Sequence, residues 1–202
     1  MDSEEKSGTG TPFRQIIFIV ASLNLLYFGI EFAVALAIGS VSLFADSVDF
    51  LEDTSISLLI ALGVNWSPRG RARLGMALAL VLLVPAMATL WTAAQKFASP
   101  VAPSPVPLTL AGLGALAVNL SCAIMLARFR HHRGSLTKAA FLSARNDALA
   151  NIAIVLAGLV TAWLWRSAWP DLIVGLGIAL LNADAAREVW QAAREEHGKA
   201  NA

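Results

Sequence analysis

Acidic side chains recur within stretches of this sequence that are otherwise apolar. Asp49 and Asp53 lie four residues apart; in a separate apolar run, Asp147 has Ser143 four residues before it and Asn151 four residues after it. Residues four apart project from one face of an α-helix. Two helices presenting these faces to each other would gather carboxylate, hydroxyl and amide oxygens around one point. The carboxylates would repel each other there, and a divalent cation or bound protons would relieve that repulsion.

The candidate ligands Asp49, Asp53 and Asp147, with Ser143 or Asn151 as the fourth, are all oxygen donors. Zinc sites favour His or Cys, although carboxylates also serve, whereas an oxygen set suits harder ions. Mn²⁺ and Fe²⁺ are therefore favoured over Zn²⁺, while Co²⁺ and Cd²⁺ stay open. Protons compete with a metal for the same carboxylates, which is the minimal requirement for exchanging one for the other. The metal is expected as cargo, and no resident cofactor is predicted.

The elements that hold these acids are predicted to be membrane helices. Hydrophobic residues make up 57% of the 202 residues and charged residues only 14%, against about 25% charged in a typical soluble domain. The mean hydropathy is +0.65. A membrane helix needs roughly 20 largely apolar residues, and spans are predicted at about 14–37, 41–64, 72–96, 107–128, 139–165 and 169–191. The predicted fold class is an all-α, polytopic membrane protein with six transmembrane helices.

The basic residues predict an orientation for this bundle. Most of them lie before the first span, between the second and third, between the fourth and fifth, and after the sixth; Lys96 and Arg166 lie on the other side. Positive residues stay cytoplasmic, so both termini are predicted to be cytoplasmic. Residues 1–13 are expected to be a disordered tail and 192–202 a short tail with no metal-binding domain after it. The expected location is the plasma membrane of a bacterium.

Several function classes are disfavoured by composition and motifs. The net charge of +1 gives no basic excess for nucleic acid, and the only cysteine, Cys122, leaves no pair for a disulfide or a Cys-based metal site. The sequence contains neither HExxH nor GxSxG, so an enzyme is not predicted. His131 and His132 lie in a basic segment that is typical of a solvated turn, although a role in metal capture stays open.

Two other ionisable residues of the spans have more ordinary interpretations. Glu52 is expected to pair with Arg145, since an unpaired charge inside a membrane is costly. Asp46 is predicted near the outer end of the second span, where helix-end solvation and a role in the ion path are equally supported.

The order and spacing of several motifs resemble one transporter family. Asn24, Glu31 and the run GSVSLFADSVDFLED at 39–53 are similar to the first two spans of the cation diffusion facilitator family of divalent-metal/proton antiporters. Further similarities are Val118-Asn119-Leu120, the run FLSARNDALANIAIVLAGLV at 141–160, and Trp169-Pro170-Asp171. Together they cover roughly residues 15 to 190.

The resemblance implies a six-helix domain that works as a homodimer, with alternating access and protons moving opposite to the metal. It also implies a tetrahedral site between spans two and five, with Asp49, Asp53 and Asp147 on ligand positions. The sequence departs from the family pattern at Ser143, where zinc transporters usually have His, and in lacking the cytoplasmic domain that commonly follows span six. The first departure weakens the prediction of zinc.

The leading functional hypothesis is therefore export of divalent cations from the cytoplasm in exchange for protons. The alternative is a membrane scaffold or regulatory partner that has the same fold and does not transport. The presence of all three aspartates favours transport. An intramembrane metalloenzyme is a third, weaker hypothesis, because the acids have no companion nucleophile or His pair.

Overall fold

A computed structural model describes residues 10–63, 87–128 and 135–181. Within these ranges all regular structure is helical, as predicted. The helices are α1 (Gly10–Ile38), α2 (Val41–Gly63), α3 (87–98 as described), α4 (Pro105–Ala127), α5 (Ser135–Trp163) and α6 (Trp169–Leu181).

Three of the described segments are long and apolar enough to cross a membrane: Phe13–Ile38, Pro105–Ala127 and Ala144–Trp163. The helix α2, with 23 residues, is also long enough, but four acids interrupt its apolar sequence. Most of the predicted third span, both histidines of the 131–132 pair and the chain after 181 lie outside the described residues.

Three helices begin earlier than the predicted spans: α5 begins at Ser135 rather than 139, and the other two have proline in the added first turn. The helix α1 begins at Gly10 rather than near residue 14, and α4 begins at Pro105 rather than 107. Pro12 and Pro107 therefore lie in the first turns of their helices. Backbone N–H groups of a first turn have no intrahelical acceptor, so proline costs no hydrogen bond there.

The helices α1 and α2 are joined by two residues, Gly39 and Ser40. Gly39 has a positive φ of 62°, a conformation that glycine adopts without steric cost. The Ser40 amide donates back to the Ala35 carbonyl at 3.2 Å, which closes the end of α1. The Ser40 hydroxyl accepts from the Leu43 amide at 3.2 Å and so caps the start of α2. This tight turn makes α1 and α2 antiparallel neighbours.

Four helices form a ring in which each packs on two neighbours. α1 packs on α2, α2 on α5, α5 on α4, and α4 on α1, with little contact between α2 and α4. The apolar core at one end of this ring includes Ala35, Leu43, Leu108 and Ile154, and Ile178 of α6 joins it. The ring thus makes α2 and α5, the helices with the acidic stripes, direct neighbours.

The polarity of this bundle is inverted relative to a soluble protein. Large apolar side chains are exposed on the outside, including Leu26, Leu110, Ile124 and Leu149 at 61–65% of their surface. Polar side chains are buried inside, and Asn24, Glu31, Asp46 and Asn151 have no exposed surface. An apolar exterior and a polar interior suit contact with lipid, so the chain is an integral membrane protein.

Candidate functional site

The helix α2 carries three aspartates at positions that share one face. Asp46, Asp49 and Asp53 all lie within its continuous helical range, so the predicted spacing holds. Asp46 is fully buried, Asp53 retains 8% of its surface, and Asp49 is partly buried. The stripe therefore points mainly into the bundle rather than towards lipid.

The helix α5 presents the second predicted stripe. Asn151 is fully buried, and its Nδ2 donates to the backbone carbonyl of Asp147 at 2.8 Å. No described residue donates to Asn151 Oδ1. Asp147 itself is partly buried. Ser143 belongs to the same helix, but its side chain lies outside the described residues.

Carboxyl groups from the two stripes interact across the α2–α5 contact. Asp49 lies within electrostatic range of Asp147. Asp53 and Asp147 are both within electrostatic range of the Cys122 thiol of α4. However, no three Asp, Glu, His or Cys side chains in the described part of the chain lie close enough to hold one metal ion. The structure therefore brings the two helices together, and the complete ligand set stays a prediction.

Buried polar residues of α1 and α4, for which the sequence predicted no role in the site, border this region. Cys122 Sγ donates to Asn24 Oδ1 at 3.6 Å. Asn24 Nδ2 and Asn119 Oδ1 are buried without a partner among the described residues. The sequence could have indicated them, because each is a polar side chain within an otherwise apolar run. The amides of Asn24 and Asn119 and the thiol of Cys122 line the region beside Asp53 and Asp147.

The expected pair between Glu52 and Arg145 is not formed, and that prediction is wrong. Arg145 is exposed, and its Nη2 donates instead to the Asn146 side-chain oxygen at 3.1 Å. Among the described side chains there is no Glu52–Arg145 ion pair. The reason is geometric: Arg145 follows the buried Ala144 on the outward side of α5. Its guanidinium thus remains on the surface.

A second polar cluster closes the end of the bundle where α2 begins. Asp171 of α6 accepts from the hydroxyls of Ser40 and Ser42, both at 2.6 Å. It also accepts from the backbone amides of Val41 at 2.9 Å and Ser42 at 3.1 Å. Lys96 Nζ of α3 donates to the same carboxylate at 2.7 Å. We call Asp171, Lys96, Ser40 and Ser42 the α2 clamp.

The α2 clamp satisfies the start of the acidic helix with a carboxylate from another helix. The free amides at a helix N-terminus favour a negative charge. Asp171 supplies that charge, and Lys96 neutralises it within the buried cluster, since both side chains are at least 93% covered. The sequence indicated the motif Trp169-Pro170-Asp171. It did not indicate the contact of Asp171 with Ser40, because the two residues are 131 positions apart.

Comparison with known proteins identifies the family. A family model described as the cation efflux transmembrane domain matches residues 17–195, nearly the whole chain. No curated protein matches the sequence significantly. The match extends over the six helices of the described residues, including the acidic α2 and α5 and the clamp that holds α2 in place. The chain therefore belongs to the cation efflux, or cation diffusion facilitator, family of membrane proteins that transport cations.

Proposed function

We propose that this protein exports a divalent transition-metal ion from the cytoplasm in exchange for protons, through a carboxylate site between α2 and α5. The observation that carries the proposal is the approach of Asp49 on α2 to Asp147 on α5, within electrostatic range, in the interior of a membrane bundle. Asp53 follows Asp49 by one turn and is 8% exposed. These three carboxylates are the proposed primary ligands.

Electrostatic repulsion among these carboxylates favours the binding of a cation. Each acid inside a membrane span costs on the order of 2.5–3.5 kcal/mol on insertion scales, and neighbouring carboxylates add repulsion. A divalent ion offsets the repulsion and draws the ligands of α2 and α5 together. Protons on the same oxygens offset it as well. Metal and protons therefore exclude each other, which supports exchange rather than simple leakage.

The fourth ligand is proposed to come from Ser143 or Asn151. The Asn151 amide nitrogen is engaged by the Asp147 carbonyl, whereas its Oδ1 receives no hydrogen bond from any described residue. That oxygen is therefore available to a cation. An all-oxygen set favours Mn²⁺ and Fe²⁺ over Zn²⁺, with Co²⁺ and Cd²⁺ as further candidates. We propose in addition a homodimer in a bacterial plasma membrane.

Transport in proteoliposomes tests this function against the non-transporting scaffold. Purified protein would be reconstituted and supplied in turn with Mn²⁺, Fe²⁺, Co²⁺, Zn²⁺ and Cd²⁺ at two pH gradients. We expect saturable flux of at least one of these ions, faster with the steeper opposing proton gradient. Equal flux in protein-free vesicles for all five ions would overturn transport and leave the scaffold.

A further inference from the structure

Two carboxylic acids that are not among the proposed metal ligands lie close together at the contact between α1 and α2. Glu31 of α1 and Asp46 of α2 each have no exposed surface. Their carboxyl groups lie within hydrogen-bonding reach of each other. Of the N–H and O–H groups of the described residues, none donates to any of their four oxygens. The two carboxyl groups are therefore buried close together, and their four oxygens receive no hydrogen bond from any described N–H or O–H group.

The described residues around the pair add negative charge and no positive charge. Asp49 acts electrostatically on Glu31, and Asp53 acts on Asp46. The described part of the chain places no Lys, Arg or His within salt-bridge distance of either acid. Tyr27 lies one turn before Glu31, but its hydroxyl is directed elsewhere and donates to the Ala111 carbonyl of α4 at 2.6 Å. Within the described residues, then, neither acid meets a group that provides the missing hydrogen.

Two ionised carboxylates cannot remain in contact inside a low-dielectric bundle, because each disfavours the charge of the other. One proton between them converts the repulsion into a charge-assisted O–H···O bond, which is among the strongest in proteins. We propose that Glu31 and Asp46 share a proton and form a proton-binding site separate from the metal carboxylates.

The location of this proton-binding site next to Asp49 extends the proposal to the exchange of protons for metal. This extension rests on the proposed function. Asp46 precedes Asp49 by three residues on α2, so the proton pair and the proposed metal site occupy successive turns of one helix. A dication that binds at Asp49 favours negative charge nearby and therefore release of the shared proton. The pair would thus contribute a proton to each cycle without touching the metal.

Infrared spectroscopy of the purified protein tests the pair directly. Wild-type protein free of divalent ions should show a carbonyl band of a protonated carboxylic acid that shifts in D₂O. Glu31→Gln and Asp46→Asn should each remove the same band, and the double variant should remove no more. Tyr27→Phe, which deletes a hydroxyl one turn away but no carboxyl group, should retain it. The amide introduced by Glu31→Gln can still donate to Asp46, so this variant is expected to fold.

Three results would overturn the shared proton. The first is a wild-type spectrum with no protonated carboxyl band, which needs no variant. The second is a band that survives in both Glu31→Gln and Asp46→Asn. The third is a band that is lost when Na⁺ is added to protein free of divalent ions, since a metal cation would then be the occupant.

Measuring the number of protons moved per metal ion distinguishes a failure of the shared-proton proposal from a failure of the proposed transport function. In proteoliposomes, Glu31→Gln should retain metal binding and metal–metal exchange but move fewer protons per metal ion than wild type. An unchanged proton-to-metal ratio would contradict the coupling role. If wild-type protein transports no metal, the proposed function fails, and the infrared result still decides whether the pair holds a proton.

Discussion

Lys96 Nζ donates to Asp171 Oδ2 at 2.7 Å, and this buried ion pair joins α3 to the start of α6. The same carboxylate accepts hydrogen bonds from the first two backbone amides of α2. One aspartate therefore fixes three helices at one end of the bundle. Because α2 carries Asp46, Asp49 and Asp53, the α2 clamp sets the depth and rotation of the acidic stripe.

Substitutions of Lys96 and Asp171, the ion pair of the α2 clamp, should have non-additive effects on the free energy of unfolding. Lys96→Met leaves Asp171 with its four other donors, whereas Asp171→Asn leaves a buried ammonium without a counter-charge, a change that costs about 3–5 kcal/mol in other proteins. The double variant should be more stable than the sum of the two losses predicts, with a coupling of about 1–3 kcal/mol. Unfolding in mixed detergent measures it. If the loss of stability in the double variant equals the sum of the two single losses, Lys96 and Asp171 do not stabilise each other.

Gly175 should tolerate no side chain, because α6 passes directly over the start of α2. A Cβ at this position would lie 2.6 Å from the Ser42 amide nitrogen and the Val41 carbonyl carbon, both of which are backbone atoms. We expect Gly175→Ala to lower the free energy of unfolding by about 1–3 kcal/mol or more.

Gly177 provides the matched control on the same helix, since a Cβ there meets nothing within 4 Å. Gly177→Ala should melt like the wild type. Equal thermal stability of both variants would contradict the close contact between α6 and α2.

Much of this fold was predictable from local sequence. Long apolar runs predicted the helices, and i, i+4 spacing predicted that Asp49 and Asp53 share a face of α2. The Gly39-Ser40 turn also held an unused signal: Glu31 and Asp46 lie at similar distances before and after it. Glu31 is eight positions before Gly39 and Asp46 is six positions after Ser40, so antiparallel helices joined by this turn place the two acids at roughly the same level of the bundle.

Other features depend on tertiary packing that the sequence pattern does not contain. The Asp171–Ser40 contact requires α6 to return to the start of α2 after 131 residues. Arg145 was predicted to pair with Glu52 of α2, but its direction on α5 leaves it exposed. Spacing along one helix is therefore predictable, whereas partners between helices depend on how the helices are rotated.

The predicted orientation can be tested by cysteine accessibility in intact cells. The native Cys122 is fully buried and would be replaced by Ala. A cysteine at Ser7, before α1, should be protected from a membrane-impermeant maleimide, because the basic residues predict a cytoplasmic N-terminus. A cysteine at Ser99, exposed beyond the end of α3, should react. The reverse pattern would refute the orientation.

Ser143 is predicted to influence metal choice. Ser143→His adds an imidazole four residues before Asp147, on the same face of α5. Imidazole suits Zn²⁺ better than Mn²⁺, so the Zn²⁺/Mn²⁺ ratio of transport rates should rise at least several-fold, where tenfold corresponds to about 1.4 kcal/mol. Parallel uptake assays with the two ions measure this ratio.

The control for that experiment follows from burial. Ala144 is fully buried in an apolar cluster and would not accept a histidine. Arg145 is exposed and lies about 200° around the helix from Ser143. Arg145→His should therefore leave the metal ratio unchanged. If Ser143→His is folded and active with the wild-type ratio, Ser143 does not face the metal.

The most direct test measures metal and proton flux together in proteoliposomes made with wild-type protein, Asp53→Ala or Asp147→Ala. Both variants remove a charge from the bundle interior, so membrane insertion should be unimpaired, and size-exclusion profiles would verify it. We expect coupled, opposite fluxes for wild type and loss of both fluxes in each variant. Wild-type metal flux in either variant would contradict a transport site between α2 and α5.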